Sequence, residues 1–129
     1  MAYILGGRRV SREIKVRAWA NGYKKYCEYV EYADGVWIGY VKAQKRILST
    51  TNVVIEQDTG LKDKNGKEIC EGDIVEFDDS FMAHIGKIIF QGGSFKVVSS
   101  NDLYIGQAFH SKYVIGNIHE NQELLGGKE

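Results

Sequence analysis

Gly60, Gly66 and Lys67 lie close together in TGLKDKNGKEICEGDIVEF, Thr59 to Phe77, and raise the question of a phosphate-binding loop. Such a loop wraps phosphate oxygens in backbone amides and opens a helix whose N-terminus faces the anion. Five residues separate the two glycines, one more than the G-x-x-x-x-G-K-[ST] pattern has, and Glu68 occupies the Ser/Thr position that would meet magnesium. The next residues, ICEGDIVEF, read as a turn and a strand rather than a helix. The stretch reads better as geometry. Asp63-Lys64-Asn65-Gly66 makes a tight reversal, with Asn65 and Gly66 suited to left-handed angles. Glu71-Gly72-Asp73 makes a second turn, with Asp73 accepting backbone amides at the next strand. Leu61, Ile69 and Ile74 point inwards. Asn65, Gly66, Gly72 and Asp73 are thus a structural turn motif.

Other reactive residue types are scattered. His84, His110 and His119 share no metal-ligand spacing, and neither Cys27 nor Cys70 has a neighbouring ligand. Asp78-Asp79 resembles a carboxylate pair, but adjacent strand residues point to opposite sides and turns are rich in Asp. Pairing Cys70 with His84 or His119 as a dyad has no support in spacing, and no GxSxG occurs. The expectation is a protein that is not an enzyme, with no catalytic residues, metal, cofactor or small-molecule substrate.

Basic residues crowd the other end. Residues 1–46 hold ten Lys/Arg against four Asp/Glu, whereas residues 47–129 hold seven against thirteen, within a chain of zero net charge. Arg12, Lys15, Arg17, Trp19, Lys24 and Lys25 mix cations with stacking rings, a composition that suits single-stranded nucleic acid. The same asymmetry also suits two lobes, or two copies of the chain, that attract one another.

The elements that would position these residues are mostly strands. Eight tyrosines and no proline favour strands joined by glycine turns. Asn21-Gly22, Asp34-Gly35 and Gly92-Gly93 lie between β-branched and aromatic runs, as hairpin turns do. Ile14, Val16 and Ala18 alternate with Lys15, Arg17 and Trp19; Cys27 and Tyr29 alternate with Glu28 and Val30. Beyond Thr59, five short strands are expected at Ile74–Phe77, Ile85–Phe90, Ser94–Ser99, Leu103–Phe109 and Tyr113–Asn117. They suit a small SH3-like barrel, with an OB-fold as the alternative. Tyr40–Leu48 fits a short helix or a strand, and Asn121 is placed to cap one helical turn that Gly126 stops. The expected architecture is mainly β with little helix. Residues 1–7 are a flexible arm or expression remnant, 8–58 an N-terminal β lobe, and 59–129 a five-stranded SH3-like barrel on which that lobe packs.

A chain of 129 residues buries enough surface to fold without staples. No apolar run approaches the ~18 residues of a membrane helix. The opening MAYILGGRRVSR carries its basic residues after its apolar patch, the reverse of a secretory signal. Two cysteines without CxxC spacing read as free thiols. Together these point to the cytoplasm and away from membranes.

REIKVRAW (Arg12–Trp19), the Thr59–Phe77 stretch and YVIGNIHENQELL (Tyr113–Leu125) resemble the YopX-like family of phage and prophage proteins. Cys70 departs from the pattern, standing where an aromatic is expected. The resemblance implies a small phage-encoded β protein in the bacterial host cytoplasm. It brings no established activity, catalytic set or cofactor. The functional expectation is a binding or assembly module acting through protein contacts, self-association included. A nucleic-acid-binding accessory protein is the alternative.

Overall fold

A computed structural model of the chain describes residues 2–3, 14–49, 51–78 and 82–126. The protein is mainly β, built of antiparallel sheets, and divides into two compact units, Met1–Asp58 and Thr59–Glu129. Among the described residues, helical structure is confined to two 3-10 turns, Ala108–His110 and Gln122–Leu125.

The first unit is organised around β2 (Ile14–Ala20). β1 (Ala2–Tyr3) pairs with its start, so part of the segment expected to be an arm contributes a strand. β3 (Lys25–Tyr26) pairs with Trp19 and Ala20, and β7 (Val53–Lys62) pairs along Val16 to Ala20. A separate three-stranded sheet holds β4 (Tyr29–Ala33), β5 (Val36–Val41) and β6 (Arg46–Ser49). The chain changes sheets between Tyr26 and Tyr29. Cys27 N–H donates to Ala18 O on β2 at 2.8 Å, whereas Glu28 N–H donates to Tyr40 O on β5 at 3.0 Å. That corner breaks the expected alternation, so Cys27 and Val30 both face the core. They join Val16, Ala18, Ala20, Val41 and Val53 there. Each fully buried valine contributes about 1.5–2 kcal/mol.

Asp34-Gly35 is the expected two-residue turn, with φ of 50° and 83° between paired Ala33 and Val36. Asn21-Gly22 is not. Ala20 pairs with Lys25, so four residues make the loop, and Lys24 takes the left-handed angle, φ 54°. Tyr40–Leu48 resolves as strand, turn and strand; Lys45 (φ 54°) reverses the chain between β5 and β6.

In the second unit, the end of β7 returns through the Asp63–Gly66 turn into β8 (Glu68–Cys70). β9 (Asp73–Asp78), β10 (Ala83–Gln91), β11 (Ser94–Val98), β12 (Tyr104–Gln107) and β13 (Ser111–Asn117) complete the unit's strands. These five strands form a curled half-barrel sheet in the order β12-β11-β10-β9-β13. Irregular register between β11 and β12, and between β13 and β9, marks bulges of the kind that bend strands. Ile69, Val75, Phe77, Ile88, Val97 and Ala108 form the core. Gly106 lies under the Phe77 ring, where a Cβ would collide with it. Gly92-Gly93, with φ of 61° and 86°, is the expected tight turn. Gly126 stops the last 3-10 turn at φ 71°. Asn121 makes no cap bond; its Oδ1 accepts from Asn117 N–H at 3.0 Å.

Candidate protein-contact face

The register of β4, β5 and β6 sorts their side chains into two faces. Val30, Gly39 and Leu48 lie in one cross-strand row, turned to the core. Gly39 is required there, because a Cβ on it would sit 2.6 Å from Cys27 Sγ. Burial, then the Glu28 charge, pushes the Cys27 thiol above its ordinary pKa. Tyr29, Tyr40 and Ile47 make a row on the opposite face, beside a second of Glu31, Ile38 and Ser49. Directly opposed side chains on one face touch or nearly so. Tyr29 is 55% exposed and Ile47 is 72% exposed, so this face presents an aromatic and apolar strip to solvent.

Cations rim one end of the strip. Lys42, Lys45 and Arg46 are all exposed at the β5–β6 turn. Glu28 braces the corner: its Oε1 accepts from Lys42 N–H at 2.9 Å, and its Oε2 meets Lys25 Nζ at 3.1 Å. The Lys42 amide, then the Lys25 ammonium, hold the Glu28 carboxyl below its usual range. Tyr29 OH donates to Glu31 Oε1 at 2.7 Å, fixing the ring at the strip's edge.

The basic-aromatic residues expected to meet nucleic acid are placed less uniformly. Arg12 lies outside the described residues. Lys15 is half-buried on β2 and Lys24 is exposed in the four-residue loop. Lys25 is engaged with Glu28. Trp19 is only 5% exposed and packs edge-on against Tyr26, ring centroids 5.0 Å apart. Arg17 donates from Nε to Glu56 Oε1 at 2.8 Å and lies 4.5 Å over the Tyr26 ring. Tyr26 OH donates to the same carboxylate oxygen at 3.0 Å. Arg17, Tyr26 and Glu56 thus engage one another.

The turn motif is placed as geometry. Gly66 has φ 83°, and Asn65 keeps a negative φ, so only the glycine takes the left-handed angle. Asp63 Oδ1 accepts from Asn65 N–H and Lys67 N–H, each at 2.9 Å, and its Oδ2 accepts from Val114 N–H at 2.9 Å. Burial alone would raise the Asp63 pKa; the three amides and the Lys67 charge outweigh it and hold the carboxyl below its ordinary value. Gly72 turns at φ 85°, and buried Asp73 accepts from Cys70 N–H at 2.8 Å.

Cys27 and Cys70 are both buried free thiols. Asp78 pairs with Lys112 at 2.7 Å; that bond, then the Asp78 charge, raises the Lys112 pKa. Asp79 lies outside the described residues. His84 and His119 are half-buried and His110 is exposed against Phe109. Among the described residues, no cluster of three or more His, Cys, Asp or Glu is placed to hold a metal. No helix among them is long and apolar enough to cross a membrane.

The YopX protein family model matches residues 15–126. The chain is also similar to a solved structure, the crystal structure of protein EF1440 from Enterococcus faecalis. The two are 33% identical, over 87% of this chain and 97% of that one, with a TM-score of 0.57. No curated protein matches.

Proposed function

We propose that this chain, which belongs to the YopX protein family, is a non-enzymatic assembly module that acts through protein contacts, with a second copy of itself as first partner. The observation that carries this reading is the Tyr29–Tyr40–Ile47 strip, exposed at Tyr29 and Ile47, with its cationic rim. Apolar strips rimmed by polar residues are common contact sites. Charge supports a second copy as the occupant. Residues 1–58 hold ten Lys/Arg against six Asp/Glu, and residues 59–129 hold seven against eleven. A basic first unit of one copy and an acidic second unit of another therefore attract head to tail. On this reading the protein is phage- or prophage-encoded, works in the bacterial host cytoplasm, and uses an SH3-like half-barrel as its second unit. Size-exclusion chromatography with light scattering, run over a concentration and salt series, tests it. Association that grows with concentration and weakens with salt supports the proposal; a constant monomer mass counts against it.

Lys24, exposed in the loop that follows β2, favours a second reading, a nucleic-acid-binding accessory protein. Anisotropy titrations with single- and double-stranded DNA and RNA decide it. Binding at low salt that falls steeply as salt rises supports it, and failure of all four ends it.

A further inference from the structure

We propose that Asn21 is a site of spontaneous deamidation, whereas Asn65, in the same Asn-Gly sequence, is protected by its turn. Going beyond the contact role, this assigns a covalent modification to a loop of the basic unit. Asn is among the chemically labile residues, and glycine after it leaves the route to the side chain unobstructed. The glycine nitrogen attacks the Asn Cγ, forming an N–Cγ bond. The bond from Cγ to the side-chain nitrogen breaks, and ammonia leaves with the backbone proton. Water then opens the succinimide at either carbonyl, giving Asp or isoaspartate. One water is consumed and one ammonia released, with no oxidant or cofactor.

The first step needs a glycine nitrogen that is free to move onto the side chain. Asn21 and Gly22 are both exposed in the four-residue loop between β2 and β3. No acceptor meets Gly22 N–H among the described residues. Space is open as well: a Cβ added at Gly22 would meet nothing within 4 Å. Asn21 is anchored through its own N–H, which donates to Asn52 O at 3.1 Å. At the second Asn-Gly the nitrogen is occupied. Gly66 N–H donates to Asp63 O at 3.0 Å, and attack would break that bond. Asp63 Oδ1 also holds Asn65 N–H and Lys67 N–H, and Lys64 N–H donates to Lys112 O at 2.9 Å. Closing a ring at Asn65 breaks a bond of the attacking nitrogen itself; in the Asn21 loop the bonds to Ala20 O come from Tyr23 N–H and Lys24 N–H, at 3.1 and 2.9 Å, and not from Gly22 N–H.

Conversion at Asn21 puts a carboxylate in the loop that carries Lys24 and leads into Lys25, lowering the positive charge of the basic unit. The isoaspartate form also lengthens the main chain between β2 and β3. The test ages the full-length folded protein in mildly alkaline buffer and quantifies both sites by peptide mass spectrometry, with a parallel sample in denaturant. Conversion at Asn21 is expected to run several-fold faster than at Asn65 in the folded protein. In denaturant the two are expected to converge. Gly22→Ala, which meets no clash, is expected to suppress conversion at Asn21 while the protein stays folded. Equal rates at the two sites in the folded chain, a faster Asn65, or no conversion at either would overturn the proposal.

Discussion

Arg17 and Glu56 oppose one another across β2 and β7, with Nε 2.8 Å from Oε1 and the Glu56 side chain only 4% exposed. Tyr26 closes the group, donating to the same oxygen and lying under the guanidinium. Removing one partner of a buried pair takes away compensation that the other charge needs. Arg17→Ala is therefore expected to lower stability by about 3 kcal/mol. Tyr26→Phe, which loses the hydrogen bond to Glu56, is expected to cost about 1 kcal/mol. Urea denaturation of the two variants checks the ordering; an Arg17→Ala midpoint equal to wild type would show that the pair is energetically idle.

Asp63 links pH to stability. Its folded pKa lies below its ordinary value, so its contribution is complete above the unfolded pKa of about 3.9 and is lost as pH falls through the lower folded value. Asp63→Asn cannot titrate and presents an amide donor to backbone donors. It is expected to be about 2 kcal/mol less stable near neutral pH. The gap to wild type should hold down to about pH 4 and narrow only below it. Urea midpoints across a pH series give the result, and a gap that closes well above that range would contradict the assignment.

Gly39 and Cys27 are coupled through space. Gly39→Ala drives a methyl group into Cys27 Sγ and is expected to cost about 1–3 kcal/mol. In a Cys27→Ala background the sulfur is gone and most of that cost should vanish. A double-mutant cycle reads the coupling directly. Additive effects would mean that the strain is relieved elsewhere.

Much of the β architecture is legible wherever a turn is decided by its own residues. Asp34-Gly35 and Gly92-Gly93 require two successive positive φ values, which few other pairs supply. Asn21-Gly22 carries the same signal and misleads, because the loop is longer and its left-handed residue is Lys24. The third pairing partner of β2 is harder to see. Val53–Lys62 alternates weakly and runs into a polar stretch, and its register with β2 spans nearly the whole first unit. For the same reason Arg17 looks like a free cation in the sequence. Glu56, which neutralises it, is 39 positions away. The contact strip is hidden by Tyr40–Leu48, whose residues suit a helix or a strand. Until the β5–β6 turn is known, nothing aligns Ile47 with Tyr40 and Tyr29.

The assembly proposal is tested most directly by sedimentation velocity on wild type and Ile47→Asp over the same concentration range. Ile47 is 72% exposed, so the substitution should change stability by no more than about 0.5 kcal/mol. A matched urea midpoint confirms that the fold is intact. Wild type is predicted to associate with rising concentration while Ile47→Asp stays monomeric. Association of the variant indistinguishable from wild type, or a wild type that remains a monomer throughout, would refute self-assembly through this strip.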